Sequence, residues 1–366
     1  MGSCQKAFGC RVFAQVIWTW SHPHVKKTAF IFQPCSIRNN KPAGSGIVML
    51  EGKRIGVVIP AFHEEKLIGR VIETMPEFVD RMYVVDDCSK DGTCERVRSY
   101  LTKYGERLEL VQHDHNQGVG AAIVTGYKRA IEENIDVVAV MAGDAQMDPD
   151  ELERVVSPVL QGKADYVKGN RLFTGEAWRL IPRYRYLGNA FLSLLTKIAS
   201  GYWHVADSQT GYTAISTDTL RILPLDALYP RYGYPNHLLV MLNIYDQRVK
   251  DVPVRPVYNI GECSGIRLRK VIPRLSWLLT KCFWWRLKEK YVIRDFHPLV
   301  FFYLLGFTLF PVGSLTGIYL VLYRIFHGPV VSTSALFSAF LFVSGLQSLF
   351  FGMWFDMEYN KDLKIK

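Results

Sequence analysis

Apolar and polar positions alternate in two distinct ways between Lys53 and about Lys168. Short β-branched runs predict strands near 54–60, 82–86, 108–112, 136–141 and 164–169. The stretches between them carry apolar residues at helical spacing and predict helices near 64–75, 92–104, 119–133 and 149–161. This alternation predicts an α/β fold, a mostly parallel sheet with helices on both faces.

The pattern is less regular after residue 170. It predicts helices near 188–201 and 235–246, a polar turn at Asp207–Tyr212 that leads into a strand, and a late strand near 248–254. Residues 273–294 then form an amphipathic pattern, which predicts a helix lying in the plane of a membrane interface.

Two apolar segments, Leu299–Leu322 and Val330–Trp354, are each long enough to cross about 30 Å of hydrocarbon. The alternative, a pair of buried helices in a soluble domain, fits two adjacent segments of this length poorly. The loop between them carries one arginine, whereas the flanks carry many basic residues. The positive-inside rule therefore predicts an integral membrane protein with the α/β domain and both termini in the cytoplasm.

The net charge of +10 is concentrated just before the first apolar segment. Nine Lys and Arg side chains lie between Ile266 and Asp295, interleaved with Trp277, Trp284 and Trp285. Basic and aromatic residues beside an apolar span are typical of a segment that contacts membrane lipids. We therefore expect no nucleic-acid partner, and a merely solvated basic face is the alternative.

The pattern divides the chain into five parts. We expect a disordered extension or an early start site over 1–48, an α/β domain over 49–262 and an interfacial segment over 263–296. A two-helix membrane hairpin over 297–355 and a short tail over 356–366 complete the chain. The seven cysteines include no Cys-x-x-Cys pair, which argues against a zinc site and against a disulfide framework.

Carboxylates follow three of the predicted strands. Glu64 follows the first strand, Asp86 and Asp87 end the second, and Asp144 follows the fourth. Because ligands of parallel sheets bind outside the carboxyl ends of the strands, we expect these side chains to converge at one edge. Together with the apolar segments, they indicate an enzyme that handles a charged soluble substrate beside a lipid one.

Five motifs carry a family resemblance by their residues and their order. They are Pro60-Ala61-Phe62-His63-Glu64-Glu65, Val85-Asp86-Asp87-Cys88-Ser89-Lys90-Asp91-Gly92-Thr93, Asn116-Gln117-Gly118-Val119-Gly120, Gly143-Asp144-Ala145-Gln146 and Gly169-Asn170-Arg171. From about residue 53 to residue 355 the chain resembles inverting glycosyltransferase family 2, which has the GT-A fold. Within that family it is most similar to the dolichyl-phosphate mannose or glucose synthases that carry a carboxy-terminal membrane hairpin.

The resemblance implies transfer of a hexose from GDP-mannose or UDP-glucose to a polyprenyl phosphate. It assigns a set of residues to the nucleotide sugar: Pro60, Phe62, Glu64, Asp86, Asp87, Gly118 and Asp144. Phe62 and His63 stand where the family usually has Tyr and Asn, so one hydroxyl contact to the base is lost. The Asp207–Tyr212 turn resembles the acceptor-side loop, and four residues are assigned to the acceptor phosphate: Arg183, Arg185, Gln209 and Arg267.

A nucleoside diphosphate leaving group has to be neutralised, and oxygen ligands holding Mg²⁺ or Mn²⁺ do this. Asp144 and Gln146 are the candidate ligands, with Arg171 as a clamp on the diphosphate. In the resemblance, Ala142 replaces the first Asp of the family's Asp-x-Asp motif. We therefore expect metal binding that is weaker or relies more on the substrate phosphates.

The chemical class of the acceptor can be inferred from whether the chain offers a general base. A sugar hydroxyl needs a general base, but the predicted helix start Tyr234-Pro235-Asn236-His237 contains no carboxylate. A phosphomonoester, with a second pKa near ~6, is already anionic at neutral pH. This favours a polyprenyl phosphate, while His237 as a base with a lipid hydroxyl such as diacylglycerol stays an alternative. A catalytically weak, nucleotide-sugar-binding membrane scaffold is a second alternative, because Ala142 replaces a metal ligand.

Overall fold

The structure is a computed structural model that describes residues 50–172, 183–255, 257 and 268–365. The prediction for 1–48 lies outside these residues. Within them the sheet has seven strands, listed here with their bounds: β1 Ile55–Ala61, β2 Arg81–Asp86, β3 Leu108–Gln112, β4 Val137–Val140, β5 Tyr166–Asn170, β6 Thr213–Ser216 and β7 Val249–Pro253.

The strand order is β3-β2-β1-β4-β6-β5-β7. Strands β3, β2, β1 and β4 are parallel, as are β5 and β7, whereas β6 runs antiparallel to its two neighbours. The mostly parallel α/β fold predicted from the sequence is thus confirmed, and every strand with predicted bounds begins and ends within two residues of them.

The α/β part contains seven helices within the described residues: α1 Ile68–Glu73, α2 Thr93–Tyr104, α3 Val119–Glu132, α4 Leu152–Leu160, α5 Arg183–Ser200, α6 Thr217–Ile222 and α7 Tyr234–Ile244. Helix α1 begins four residues later than the predicted start at residue 64. His63 has a φ of 59°, and the backbone N–H of Glu64 donates to Thr93 Oγ1 at 2.9 Å. These contacts hold the segment after β1 as a loop.

The core lies on both faces of the sheet. On β1, Val57 and Ile59 pack into the cluster that includes α1, α2 and α4, whereas Val58 packs into the cluster that includes α3 and α7. Every residue of β1 is buried, as expected for a central parallel strand covered by helices on both faces.

Helix α8 covers Leu268–Lys288 and continues into a π-helical turn at Glu289–Arg294. Leu275, Leu279 and Phe283 lie on its buried side, and Trp277 and Trp284 lie on its exposed side. The amphipathic helix is therefore present. Two of the basic residues counted toward its membrane surface, Arg286 and Lys290, are instead buried, with 1% exposure each.

Helices α9 (Leu299–Phe326) and α10 (Ser332–Tyr359) form the predicted hairpin. Both are long and apolar enough to cross a membrane. A Cβ at Gly313 or Gly345 would collide with the backbone of the opposite helix, so these glycines allow close packing. Outward-facing side chains such as Leu315 and Phe326 are exposed, as expected for a surface that meets lipid.

Candidate active site

The sheet topology brings the three acidic loops together. Strand β1 lies between β2 and β4 and is parallel to both, so their carboxyl ends meet at one edge. The chain moves outward from β1 to β2 on one side and to β4 on the other, which makes β1 the point where the winding reverses. Such a switch point opens a crevice for ligands. The expected convergence of the loops that carry Glu64, Asp87 and Asp144 is therefore present.

Glu64 shows that negative charge accumulates at this edge. The pKa of its carboxyl group is raised from 4.5 to about 7 by burial, and further by the nearby carboxylates of Asp144 and Asp91. A half-buried carboxyl group facing two other acids favours any ligand that brings positive charge, such as a divalent cation.

Asp86 and Asp87 are buried beneath the edge, with 0% and 3% exposure. Asp87 accepts hydrogen bonds from the backbone N–H groups of Gln117 and Gly118, both at 2.8 Å, and its Oδ1 lies 2.9 Å from His113 Nδ1. Asp86 Oδ2 accepts from the backbone N–H of Ser89 at 3.0 Å. In the structure the two carboxylates therefore hold the surrounding loops in place.

His113 is a residue that sequence reasoning missed. Its Nε2 lies 3.0 Å from Thr125 Oγ1, and Thr125 belongs to α3. The imidazole therefore connects the Asp87 carboxylate to that helix. No local motif marked it, since His113 follows β3 in an ordinary polar loop, and only the fold places it beside Asp87.

Gly118 has a backbone role at the start of α3. Its φ is 103°, and a Cβ there would lie 2.5 Å from the carbonyl oxygen of Pro230. That same carbonyl accepts hydrogen bonds from the N–H groups of Gly120 and Ala121 at 2.8 and 3.2 Å. Gly118 thus allows the Tyr229–Arg231 segment to approach the helix start closely.

Pro60 and Phe62 mark the end of β1. The carbonyl of Pro60 accepts from the N–H of Gly143 at 3.1 Å, which ties the β1 end to the loop after β4. Phe62 is 44% exposed and stacks on His63 with 4.0 Å between ring centroids. An exposed aromatic ring beside a ligand crevice offers a flat surface on which a base can stack.

Asp144 and Gln146 lie on one tight loop after β4. The N–H of Gln146 donates to Asp144 Oδ1 at 3.1 Å, and Ala145 between them has a φ of 56°. Carboxylate and amide oxygens suit Mg²⁺ or Mn²⁺. In the described part of the chain no group of three or more His, Cys, Asp or Glu side chains could hold a metal ion. A divalent cation that binds here would therefore take further oxygen ligands from its substrate.

Arg171, the predicted diphosphate clamp, forms a two-pronged ion pair with Asp207. Arg171 Nε lies 2.8 Å from Asp207 Oδ2, and Nη2 lies 3.2 Å from Oδ1. Burial alone would raise the pKa of Asp207, but the charge and hydrogen bonds of Arg171 outweigh it and the pKa is lowered. Arg171, Gln146 and Gly211 line one narrow cleft, so the metal-candidate loop and the acceptor-side turn face the same space.

On the acceptor side, Gln209 Nε2 donates to Ser208 Oγ at 2.8 Å and to Asn236 Oδ1 at 3.2 Å. His237 stacks on Trp285, its Nδ1 accepts from the N–H of Tyr229, and burial lowers its pKa to about 4. These contacts favour a packing role for His237. The side chains of Arg183 and Arg185, and all of Arg267, lie outside the described residues.

Comparison with known proteins gives several relatives. An N-acetylglucosaminyltransferase of Methanococcus voltae named for UDP-N-acetylglucosamine and dolichyl phosphate is 29% identical over 219 residues, 57% of this chain and 87% of that protein. An uncharacterized protein of Methanocaldococcus jannaschii is 30% identical over 220 residues, 60% of this chain and 88% of the relative. A dolichyl-phosphate beta-glucosyltransferase of Trichomonas vaginalis is 24% identical over 284 residues, 74% of this chain and 85% of that protein.

Among solved structures, glucosyl-3-phosphoglycerate synthase from Mycobacterium tuberculosis aligns with a TM-score of 0.47 and 21% identity, covering 64% of this chain and 80% of the other. The family model described as "Glycosyl transferase family 2" matches residues 56–221. That range runs from β1 through the acidic edge and past the acceptor-side turn. The resemblance and the enzyme class predicted from the motifs are confirmed, and the chain belongs to glycosyltransferase family 2.

Proposed function

We propose that this glycosyltransferase moves a hexose from GDP-mannose or UDP-glucose to a polyprenyl phosphate at a membrane surface, with inversion at the anomeric carbon. The observation that carries the proposal is the acidic switch-point crevice on a chain that also has a hairpin long enough to span a membrane. The relatives' names support a dolichyl-phosphate acceptor but differ in the sugar they transfer.

The donor would bind at the switch point. The exposed ring of Phe62 stacks on the base, and the loop held by Asp87 and His113 shapes the wall beside it. Asp144 and Gln146 would hold a divalent cation through their side-chain oxygens. When bound, that cation neutralises the charge that develops on the diphosphate leaving group.

The acceptor phosphate needs positioning and no deprotonation. One of its oxygens attacks the anomeric carbon from the face opposite the nucleotide. The bond from that carbon to the diphosphate oxygen breaks, and its electron pair leaves with the nucleoside diphosphate. Gln209 contributes an amide on the acceptor side, and Arg171, oriented by Asp207, contributes a fixed positive charge in the cleft.

The topology belongs to the same proposal. The α/β domain and both termini lie in the cytoplasm, where nucleotide sugars are available, and α9 and α10 anchor the domain at the bilayer. The exposed Trp277 and Trp284 of α8 lie in the interface, where a polyprenyl phosphate presents its head group.

The test uses membranes that contain the protein, polyprenyl phosphate and one radiolabelled donor at a time: UDP-glucose, GDP-mannose or UDP-N-acetylglucosamine. Label from UDP-glucose or GDP-mannose that enters the organic phase with Mg²⁺, not with EDTA, and is released by mild acid supports the proposal and identifies the donor. The same result with UDP-N-acetylglucosamine would keep the acceptor and replace the proposed donor. A labelled lipid that is stable to mild acid would instead indicate that the acceptor is a lipid hydroxyl and not a polyprenyl phosphate. Binding of a nucleotide sugar with no transfer from any donor would favour the scaffold alternative.

A further inference from the structure

The carboxyl ends of α5, α7 and α10 meet at one buried polar cluster between the α/β domain and the hairpin. This cluster, here called the junction, consists of Arg286 and Lys290 from α8 and its π-turn, Tyr291, Asn243 at the end of α7, and Asp356 and Asn360 at the end of α10. Each of these side chains is buried. None of them belongs to the crevice described above.

Arg286 and Asp356 form the centre of the junction. Arg286 Nη1 lies 2.7 Å from Asp356 Oδ1 and Nη2 lies 2.9 Å from Oδ2, a parallel two-point contact with 1% and 0% side-chain exposure. Arg286 also donates from Nε to the carbonyl of Ala199 at 2.8 Å and from Nη2 to that of Ile198 at 3.1 Å. A single guanidinium group thus holds the carboxyl end of α5 and the carboxyl end of α10 together.

Lys290 connects the remaining helix. Its Nζ donates to the carbonyl of Asn243 at 2.7 Å, to Asn360 Oδ1 at 2.9 Å and to Asp246 Oδ1 at 2.7 Å. The carboxyl ends of α5, α7 and α10 therefore meet two buried cations. Helix carboxyl ends carry partial negative charge, so this arrangement matches cation to dipole at each end.

The chain just beyond α10 makes a second attachment to the α/β domain. Lys364 pairs in parallel with Val249 at the edge of the sheet, and the N–H of Ile365 donates to the carbonyl of Val249 at 3.3 Å. Helix α10 is therefore attached to the α/β domain twice, at Asp356 through side chains and at β7 through the backbone.

A short series of contacts leads from the junction to the acceptor side. Helix α5, whose end Arg286 holds, places Ser193 Oγ 3.2 Å from Ser208 Oγ. Ser208 lies in the turn between Asp207, which orients Arg171, and Gln209. A continuous series of contacts through helix α5 therefore connects Arg286 to the turn assigned to the acceptor phosphate.

We propose that Arg286 and Asp356 are positioning residues that fix the angle of the membrane hairpin on the catalytic domain, so that a bilayer-embedded acceptor reaches the crevice. This inference rests on the proposed function. A buried ion pair stabilises a fold little better than apolar side chains of the same volume, and its attested use is to specify one arrangement among several. Apolar residues would hold α10 against α8 with less directional control.

The first experiment compares acceptors of two lengths. Asp356→Asn is assayed with a long-chain polyprenyl phosphate in liposomes and with a short, water-soluble prenyl phosphate. We expect KM for the long acceptor to rise at least tenfold, while KM for the donor and kcat with the short acceptor stay within twofold. Glu358→Gln is the matched control, an acid-to-amide change two residues away at an exposed position that pairs with Lys361.

Two further arms make the outcome decisive. Arg286→Met/Asp356→Leu removes both charges with similar volumes, folds even where Asp356→Asn does not, and shows the same long-acceptor defect. Spin labels introduced as unnatural amino acids at Lys103 and Val331 report the hairpin angle, and the distance distribution broadens in the double variant. Equal effects on both acceptors, or an unchanged distribution, would overturn the inference. If the wild-type protein transfers sugar to neither acceptor, the proposed function is wrong. The role of Arg286 and Asp356 in fixing the hairpin angle is still tested by the distance measurement.

Discussion

The acidic edge and the junction are both rich in charge, but they treat it in opposite ways. At the edge, carboxylates lie close to one another, and the pKa of Glu64 is raised to about 7 by burial and by two acidic neighbours. At the junction, Asp356 is matched by Arg286 and by the phenol of Tyr291. The like charges at the edge need positive charge from a bound ligand. The charges at the junction are already paired within the protein and have a structural role.

The largest expected effect is at the acidic edge. Asp144→Asn removes a carboxylate charge without changing side-chain size, so we expect the turnover to fall on the order of 10³-fold while the protein stays folded. Transfer to polyprenyl phosphate with saturating Mg²⁺ measures it, and thermal unfolding checks the fold. Asp148→Asn, in the loop just before α4, serves as the control. An Asp144→Asn enzyme with full activity would remove this residue from the site.

At the junction the expected effect is on stability. Arg286→Met leaves the Asp356 carboxylate buried without its cation, and we expect a loss of about 3 to 5 kcal/mol in the free energy of unfolding. Chemical denaturation of the detergent-solubilised protein measures it. Arg286→Met/Asp356→Leu removes both charges and is expected to recover most of that loss. A double variant as unstable as the single one would mean that packing, not charge balance, holds the junction.

The same contrast explains what the sequence could predict. The acidic edge follows from local signals, because each carboxylate comes directly after a run of apolar residues and parallel strands bring such loops to one edge. The junction depends on pairs such as Arg286 and Asp356, which are 70 residues apart. Arg286 and Lys290 lie in a basic run that looks like a lipid-facing surface. The sequence offers one local signal, Asp356, an acid two residues after the apolar segment that ends at Trp354, and a charge so close to hydrocarbon is costly unless it is paired.

Asp87 and Arg171 show an intermediate case. Their positions after β2 and β5 follow from the pattern, but their partners do not. The carboxylate of Asp87 is engaged by two backbone N–H groups and His113, and Arg171 is held by Asp207 from a distant turn. Sequence spacing predicts where a side chain leaves the sheet, whereas hydrogen-bond partners depend on how loops far apart in the chain meet.

A smaller effect is expected at the ring that faces the donor. Phe62→Ala removes the exposed aromatic surface, and we expect binding of UDP or GDP to weaken by about 1 to 3 kcal/mol, the usual contribution of one base-stacking side chain. Titration calorimetry with the nucleoside diphosphate and Mg²⁺ measures it. Phe62→Tyr keeps the ring and should bind at least as well as the wild type. Equal affinities for the Ala and Tyr variants would show that the base does not stack there.

The smallest effect is a change in the pH dependence of stability at Glu64. The pKa of this carboxyl group is about 7 in the folded protein against an ordinary value of 4.5, so between these pH values the folded state binds more protons than the unfolded state. The free energy of unfolding therefore falls as the pH rises through this window, and this contribution is fully lost above pH 7.

Glu64→Gln removes the titrating group, so thermal unfolding of the metal-free protein should show a flatter pH dependence for the variant than for the wild type. Glu77→Gln, at an exposed position after α1, is the control and should keep the wild-type slope. Mg²⁺ together with a nucleoside diphosphate should reduce the wild-type slope, because positive charge at the edge lowers the pKa of Glu64. Parallel slopes for Glu64→Gln and the wild type would mean that the carboxylates at the edge are too well solvated to interact. The edge and the junction would then differ in the positions of their charged groups, but not in how strongly those groups interact.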